Sequence, residues 1–185
     1  ALLADRSFYI GGTTNSSNLP AASGAYLGGE SDGFLSVLDP ATLEPRASTY
    51  VGGSGRDEIH AAAISGSDIY LGGATDSSDV ASETRPPGAA LGGTDGLFVV
   101  FDPFGAPIRT IRFGGTGEDR IRTLEPAGTG KVRAGGSSDS REWLNSFYGI
   151  SATAAGQDGF VAQLAFSSFT FGDSYSSPPP PGNAL

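Results

Sequence analysis

The sequence predicts an all-β fold made of three tandem copies of one unit, and three observations lead to this prediction. One segment recurs at equal spacing, beginning at positions 32, 95 and 158 as Asp32–Pro40, Asp95–Pro103 and, in a more divergent form, Asp158–Leu164. Gly-Gly pairs and Asx-Gly dipeptides separate short apolar runs, as in turns that join strands. No stretch shows sustained helical periodicity. A fixed spacing of this size indicates a repeat architecture.

Each unit divides into four short strands, which we name a to d in chain order. Strand c is apolar on both faces, so we expect it to be covered on both sides. Strand d alternates, with Tyr50 and Arg112 on its more polar side, so we expect it to be half-exposed. The predicted strands are Ala1–Ala4, Ile59–Ile64 and Ile121–Leu124 for a; Phe8–Thr14, Ile69–Thr75 and Val132–Ser138 for b; Phe34–Leu38, Leu97–Phe101 and Phe160–Leu164 for c; and Ser48–Val51, Thr110–Phe113 and Ser168–Phe171 for d.

Four short antiparallel strands per unit are typical of one blade of a β-propeller. We therefore predict three tandem four-stranded antiparallel blades over residues 1–53, 54–115 and 116–173, followed by a Pro-rich tail or linker over 174–185. Closed propellers use roughly four to eight blades. Because three blades would leave apolar faces exposed, we expect this incomplete propeller to close by oligomerisation or against partner chains, or to be part of a longer protein.

The composition excludes several kinds of partner. The formal net charge is −9 and the only lysine is Lys131, which disfavours nucleic acid and anionic lipid, since both are bound by clustered Lys and Arg. No apolar run approaches the roughly 20 residues that span a bilayer, so we expect no transmembrane segment. The chain has no cysteine and no methionine and starts Ala1-Leu2-Leu3-Ala4. We therefore expect either a fragment or a chain whose secretory signal peptide has been removed.

Two aspartates are candidate metal ligands. Asp57 and Asp119 each follow a Gly-Gly-x-Gly loop between strand d and the next strand a. Such a loop can present carbonyl oxygens, and the carboxylate could complete a Ca²⁺ site, although Ca²⁺ takes about 6–8 oxygen ligands. The alternative is that the aspartate holds the loop through hydrogen bonds to its backbone. Asp-Gly before every strand c, by contrast, indicates a structural Asx turn, because all three copies have it.

Catalytic constellations are sparse. The segment Gly29-Glu30-Ser31-Asp32-Gly33 matches the G-x-S-x-G pattern of a hydrolase nucleophile. That pattern requires a helix after the serine, whereas a strand is predicted here. His60 is the only histidine, so a Ser-His-Asp triad would depend on it alone. We expect His60 to be structural or surface-exposed, and we expect the chain not to be an enzyme.

The most distinctive non-repeated cluster lies in the third b–c connection, residues 139–157. Long connections of this kind, which also occur at 15–31 and 76–94, are often interaction surfaces. An exposed tryptophan there can bind sugar or a protein partner, and packing of the loop onto its own blade is the alternative. The candidate binding residues are Arg141, Trp143, Phe147 and Tyr148.

Several motifs resemble those of the SBBP family of bacterial β-propeller repeats. They are Tyr50–Asp57, Ile69–Thr75, and Gly24-Ala25-Tyr26 followed by Asp32-Gly33-Phe34. The likeness extends to about residue 174, with Asp-Gly in place of the family's Asp-Ala and Gly172-Asp173 in place of Gly-Gly. It implies a propeller fold and a location outside the cell, at its surface or in the periplasm. It implies no common activity.

Together these observations favour an exported, non-enzymatic structural or protein-binding module, a subunit of a larger extracellular or cell-envelope assembly. Its expected partners are other copies of itself or other subunits. A carbohydrate-binding propeller, with or without Ca²⁺, is the alternative, and a hydrolase is the third hypothesis.

Overall fold

The computed structural model of the chain describes residues 7–81, 83–85, 91–140, 158–165 and 169–171. Every helix or strand within these residues is a β-strand, so none of them forms a helix that could cross a membrane. The strands are β1 Phe8–Thr14, β2 Asp32–Leu38, β3 Pro45–Val51, β4 Asp57–Ser65, β5 Asp68–Thr75, β6 Glu83–Arg85, β7 Asp95–Phe101, β8 Pro107–Phe113, β9 Asp119–Pro126, β10 Lys131–Ser138, β11 Asp158–Ala165 and β12 Phe169–Phe171.

These strands form three sheets that follow one another along the chain. Sheet 1 has the order β1-β2-β3, sheet 2 the order β4-β5-β7-β8-β6, and sheet 3 the order β9-β10-β11-β12. All neighbouring strands are antiparallel except β6 and β8, which are parallel. The predicted all-β fold is confirmed, in three sheets whose main strands are antiparallel, but sheet 2 has five strands where four were predicted. The first predicted copy of strand a, Ala1–Ala4, and the tail 174–185 lie outside the described residues.

The outer edge of a sheet is covered by the b–c connection, which we did not predict. In sheet 2 this connection contains β6, which pairs with the outer strand β8. In sheet 1 the same connection forms a parallel bridge between Ala22 and Ser48 of the outer strand β3, and the Ser48 N–H donates to Ala21 O over 2.9 Å. An open strand edge is a template for unwanted pairing, so these two connections block the outer edges of sheets 1 and 2.

Each sheet has two faces, which we name by the alternating residues of its strand c. The front faces carry Phe34 and Leu38 in sheet 1, Leu97 and Phe101 in sheet 2, and Phe160 and Ala162 in sheet 3. The back faces carry Leu35 and Val37, Phe98 and Val100, and Val161 and Gln163 in the same order.

Sheet 2 lies between the other two, and the back face of one sheet packs on the front face of the next. One apolar cluster joins the back of sheet 1 to the front of sheet 2; its members include Tyr9, Leu35, Val37, Ile69, Leu71, Leu97, Val99 and Phe101. A second joins the back of sheet 2 to the front of sheet 3; its members include Tyr70, Phe98, Val100, Val132, Ala134, Phe160 and Ala162. All seven residues of β7 are buried, which confirms the two-sided cover predicted for strand c in the middle sheet.

The predicted half-exposure of strand d is wrong at two positions. Tyr50 and Arg112 are 7% and 8% exposed, because groups from the b–c connections cover them. The Tyr50 hydroxyl accepts from the Leu19 N–H over 2.9 Å and donates to Ser16 O over 2.8 Å. An Arg112 N–H donates to Ser78 O over 3.4 Å. The alternation of polar and apolar residues within one strand cannot reveal that a distant loop buries its polar side.

The Gly-Gly pairs of strand b have a steric cause. The register shifts between Ile59 and Ala61, opposite Gly73, and the equivalent shift in sheet 3 falls at Gly136. A Cβ on Gly73 would lie 1.7 Å from Glu58 O, and one on Gly136 would lie 2.0 Å from Arg120 O. Any side chain there would collide with the backbone of strand a, so this bulge requires glycine.

Candidate functional site

Asp57 lies at the end of the Gly-Gly-x-Gly loop that links sheet 1 to sheet 2, and its side chain is completely buried. Its Oδ2 accepts from the Gly53 N–H over 2.8 Å and from the Ser77 hydroxyl over 2.7 Å. The same Ser77 Oγ accepts from the Gly55 N–H over 2.7 Å. The carboxylate and the serine after strand b therefore hold both ends of the loop.

Asp119 repeats this arrangement in the loop between sheets 2 and 3. Its Oδ2 accepts from the Gly115 N–H over 3.0 Å and from the Ser140 hydroxyl over 2.6 Å, and Ser140 Oγ accepts from the Gly117 N–H over 2.9 Å. Oδ1 accepts from the Ser138 hydroxyl. Both aspartates thus accept hydrogen bonds from the backbone of their own loops, as the loop-holding alternative expects.

A second buried aspartate lies beside each of these two. The Asp57 N–H donates to Ser31 O over 2.8 Å, which places Asp57 next to Asp32 at the start of β2. The Asp119 N–H donates to Thr94 O over 2.6 Å, which places Asp119 next to Asp95 at the start of β7. We call Asp32 with Asp57 carboxyl pair 1, and Asp95 with Asp119 carboxyl pair 2.

Carboxyl pair 1 has two carboxyl oxygens without a donor. Asp32 is completely buried, and its Oδ2 accepts from the Leu27 N–H over 2.6 Å. Oδ1 of Asp32 and Oδ1 of Asp57 have no hydrogen-bond partner among the described residues. Burial raises the pKa of Asp32 to about 6; the Leu27 N–H opposes this shift, and the charge of Asp57 adds to it. Leu27 precedes Asp32 by five positions. Asp32 therefore holds the preceding b–c connection and does more than form the expected Asx turn.

Carboxyl pair 2 contains a cation. Arg112 Nη2 lies 2.9 Å from Asp95 Oδ2, and the two side chains are 10% and 1% exposed. Burial raises the pKa of Asp95 to about 6 even though the Arg112 hydrogen bond lowers it. Asp119 Oδ2 and Asp95 Oδ1 lie 2.4 and 2.7 Å from the point where a Cβ on Gly114 would stand. Glycine at this position lets the two carboxyl groups approach each other.

A charged cluster lies on the inner strands β4 and β9. Glu58 accepts from Arg56 and from Arg120, the latter over 3.3 Å, and its Oε2 lies 3.4 Å from His60 Nε2. His60 Nδ1 lies 2.9 Å from Ile121 O, to which it can donate. Burial acts to raise the pKa of Glu58, but Arg56, His60 and Arg120 outweigh it and lower this pKa. The cluster ties sheet 2 to sheet 3 by charge.

The two residues considered for hydrolase chemistry, Ser31 and His60, bond to backbone carbonyls. The Ser31 hydroxyl donates to Asp57 O over 3.4 Å, and His60 bonds to a carbonyl of the neighbouring sheet. The geometry therefore gives Ser31 and His60 places in loop and sheet contacts.

The predicted metal ligands Asp57 and Asp119 lie in different carboxyl pairs. Within the described part of the chain, His, Cys, Asp and Glu side chains do not gather in groups of three or more that could hold a metal. Calcium binding stays a prediction. The predicted binding cluster, Arg141, Trp143, Phe147 and Tyr148, lies outside the described residues.

A scan of the chain against protein-family models found no match, and no curated protein matched it either.

The sequence contained one usable signal that we did not exploit. Aligned copies place Tyr50 and Arg112 at the same position of strand d, opposite Phe34 and Leu97. Both copies keep Asp-Gly, but only the second has a cation, Arg112, on strand d. This difference in charge could have drawn attention to the position. Chemically, buried carboxyls with raised pKa values can hold a proton or a cation.

Proposed function

We propose that this chain is a non-enzymatic structural module that associates through the faces of its stacked sheets, as a subunit of a larger assembly outside the cytoplasm. In this proposal the three sheets are blades of a propeller-like array, in line with the resemblance to SBBP repeats. Its partners are other copies of the chain or other subunits.

One observation carries the proposal. Phe8 and Ile10 on the front face of sheet 1 are 42% and 47% exposed, whereas Ile69 and Leu71, at the same positions of sheet 2, are 1% and 0% exposed. The chemistry of the two pairs is the same, and only the covering sheet differs. Large exposed apolar patches mark interaction sites.

The polar groups that could support catalysis are engaged in structural bonds. Asp57 and Asp119 hold glycine loops, and Ser31 and His60 bond to carbonyls. These contacts favour a structural role over a hydrolytic one.

The experiment is the mass of the native particle, measured by light scattering after size exclusion over a range of concentrations. We expect a mass above the 18.7 kDa of one chain. A stable, soluble monomer at every concentration would overturn the assembly proposal.

The alternative, a carbohydrate-binding module assisted by Ca²⁺, is favoured by one observation: the two buried carboxyl oxygens of pair 1 that have no donor. Bound cation stabilises the folded state by mass action. This alternative expects a higher Tm with millimolar CaCl₂ than with chelator, and loss of that difference in Asp32→Asn but not in Asp95→Asn. Identical melting curves with Ca²⁺ and with chelator would count against it.

A further inference from the structure

We infer that the front face of sheet 1 is covered by the same face of a second copy of the chain, related to the first by a two-fold axis. This inference rests on the proposed function and names the partner. Two sheets packed face to face form a core in the same way as the stacked sheets within the chain.

The apolar surface is a continuous part of one sheet. Phe8 pairs with Leu38, Ile10 with Ser36, and Gly12 with Phe34, so these side chains share the front face. A Cβ on Gly12 would lie 3.0 Å from the Phe34 ring, so the ring occupies the space beside this glycine.

The other end of the stack does not suit this surface. The back face of sheet 3 carries Arg133 where sheet 2 has the buried Tyr70, and Gln163 where sheet 2 has the buried Val100. A head-to-tail contact would place this guanidinium against Phe8 and Ile10. Burying an unpaired charge against apolar groups is strongly unfavourable, so copies stacked front to back are disfavoured.

A two-fold contact avoids both the polarity mismatch and self-repulsion. In such a contact each patch meets itself, so any exposed charge near the axis would meet a like charge. β1 has no charged residue, and the single charge of β2, Asp32, is completely buried. Just beyond β2, Asp39 is paired with Arg46 at the start of β3. The part of the front face that β1 and β2 form is therefore apolar and carries no exposed charge, as a self-complementary interface requires.

The chain has no cysteine, so single-cysteine variants report contacts without background. Ile10→Cys marks the front face of sheet 1, and Val161→Cys marks the back face of sheet 3. We expect a short bismaleimide to cross-link Ile10→Cys with itself in high yield. An equimolar mixture of tagged Val161→Cys with untagged Ile10→Cys should give no mixed product above the level seen under denaturing conditions.

Introducing a charge into the patch supplies the second test. Ile10→Lys should convert the particle to monomers, while the matched control Ile108→Lys, whose parent residue is 45% exposed on β8, should keep the wild-type mass. Far-UV circular dichroism confirms that each variant is folded.

The outcomes separate the two proposals. A mixed Ile10–Val161 product in a particle larger than one chain would overturn the two-fold contact and leave the assembly proposal standing. If Ile10→Lys remained larger than one chain, the two-fold contact would likewise be overturned while the assembly proposal would stand. A wild-type monomer would overturn both.

Discussion

Carboxyl pairs 1 and 2 occupy equivalent places in successive repeats, yet they solve the problem of two buried carboxyl groups differently. In pair 2 a guanidinium from strand d lies 2.9 Å from Asp95, and both Asp119 oxygens accept hydroxyl hydrogen bonds. In pair 1 the same position of strand d is Tyr50, whose hydroxyl bonds to the b–c connection instead. The same position of strand d thus attaches a loop in the first repeat and neutralises a carboxylate in the second.

The loop geometry and the charge balance are therefore separable. The hydrogen bonds from Gly53 and Gly115 to the following aspartates are the same in both loops. The neighbouring aspartate, in contrast, has a cation beside it only in pair 2, where Arg112 donates to Asp95. The same Asp→Asn substitution in the two pairs should therefore change the stability in opposite directions.

The largest expected effect is that of Asp95→Asn. The substitution leaves the Arg112 guanidinium buried without a counter-charge, and arginine cannot lose its proton. Removing one partner of a buried ion pair destabilises proteins by several kcal/mol, so we expect the free energy of unfolding to fall by about 3 kcal/mol. Urea denaturation at neutral pH measures this change. A loss below about 1 kcal/mol would mean that the ion pair is effectively solvent-screened.

The next effect is a decrease in stability with rising pH. The pKa of Asp32, which has no cation beside it, is raised to about 6 and lies above the ordinary value of about 3.9. Between these values the folded protein binds more protons than the unfolded chain, so the free energy of unfolding falls as pH rises. This stability is fully present below about pH 4 and is lost as the pH rises through about 6. We expect the Tm to fall by about 3 to 6 °C between about pH 5 and pH 7.5.

The smallest effect is a gain in stability from Asp32→Asn. The amide carries no charge to desolvate, keeps an acceptor for the Leu27 N–H, and removes repulsion with Asp57. We expect about 1 kcal/mol of added stability near pH 7.5 and a flatter pH profile than that of the wild type. The difference between the two profiles cancels every contribution that both proteins share. A loss of stability at this pH would show that the Asp32 charge is compensated in the folded protein.

The fold was largely predictable because its signals are local. Apolar residues alternate within each strand, glycines mark the turns between strands, and the repeat presents this pattern three times. The observed β1, β5 and β10 match the predicted b strands to within one residue. Glycine placement in strand b was visible, but its cause, contact with Glu58 O across a bulge, was not.

The site was predictable only in part. Asp57 and Asp119 were recognised as loop residues because their motif is contiguous. Asp32 and Asp95 were assigned to turns, since their aspartate neighbours lie some 25 positions away and meet them only when a loop returns to the start of strand c. The burial of Arg112 depends on Ser78, which belongs to a connection without regular pattern. Contacts of this kind depend on tertiary packing.

The cover on the outer edge has a consequence for biosynthesis. A nascent chain emerges from its N-terminus, and domains form as they emerge. Residues 20–23 leave the ribosome before β3, and β6 leaves before β8, so each covering segment is already present when the strand that it protects is made. We expect no interval in which a completed sheet waits on the ribosome with its outer strand open to a neighbouring nascent chain.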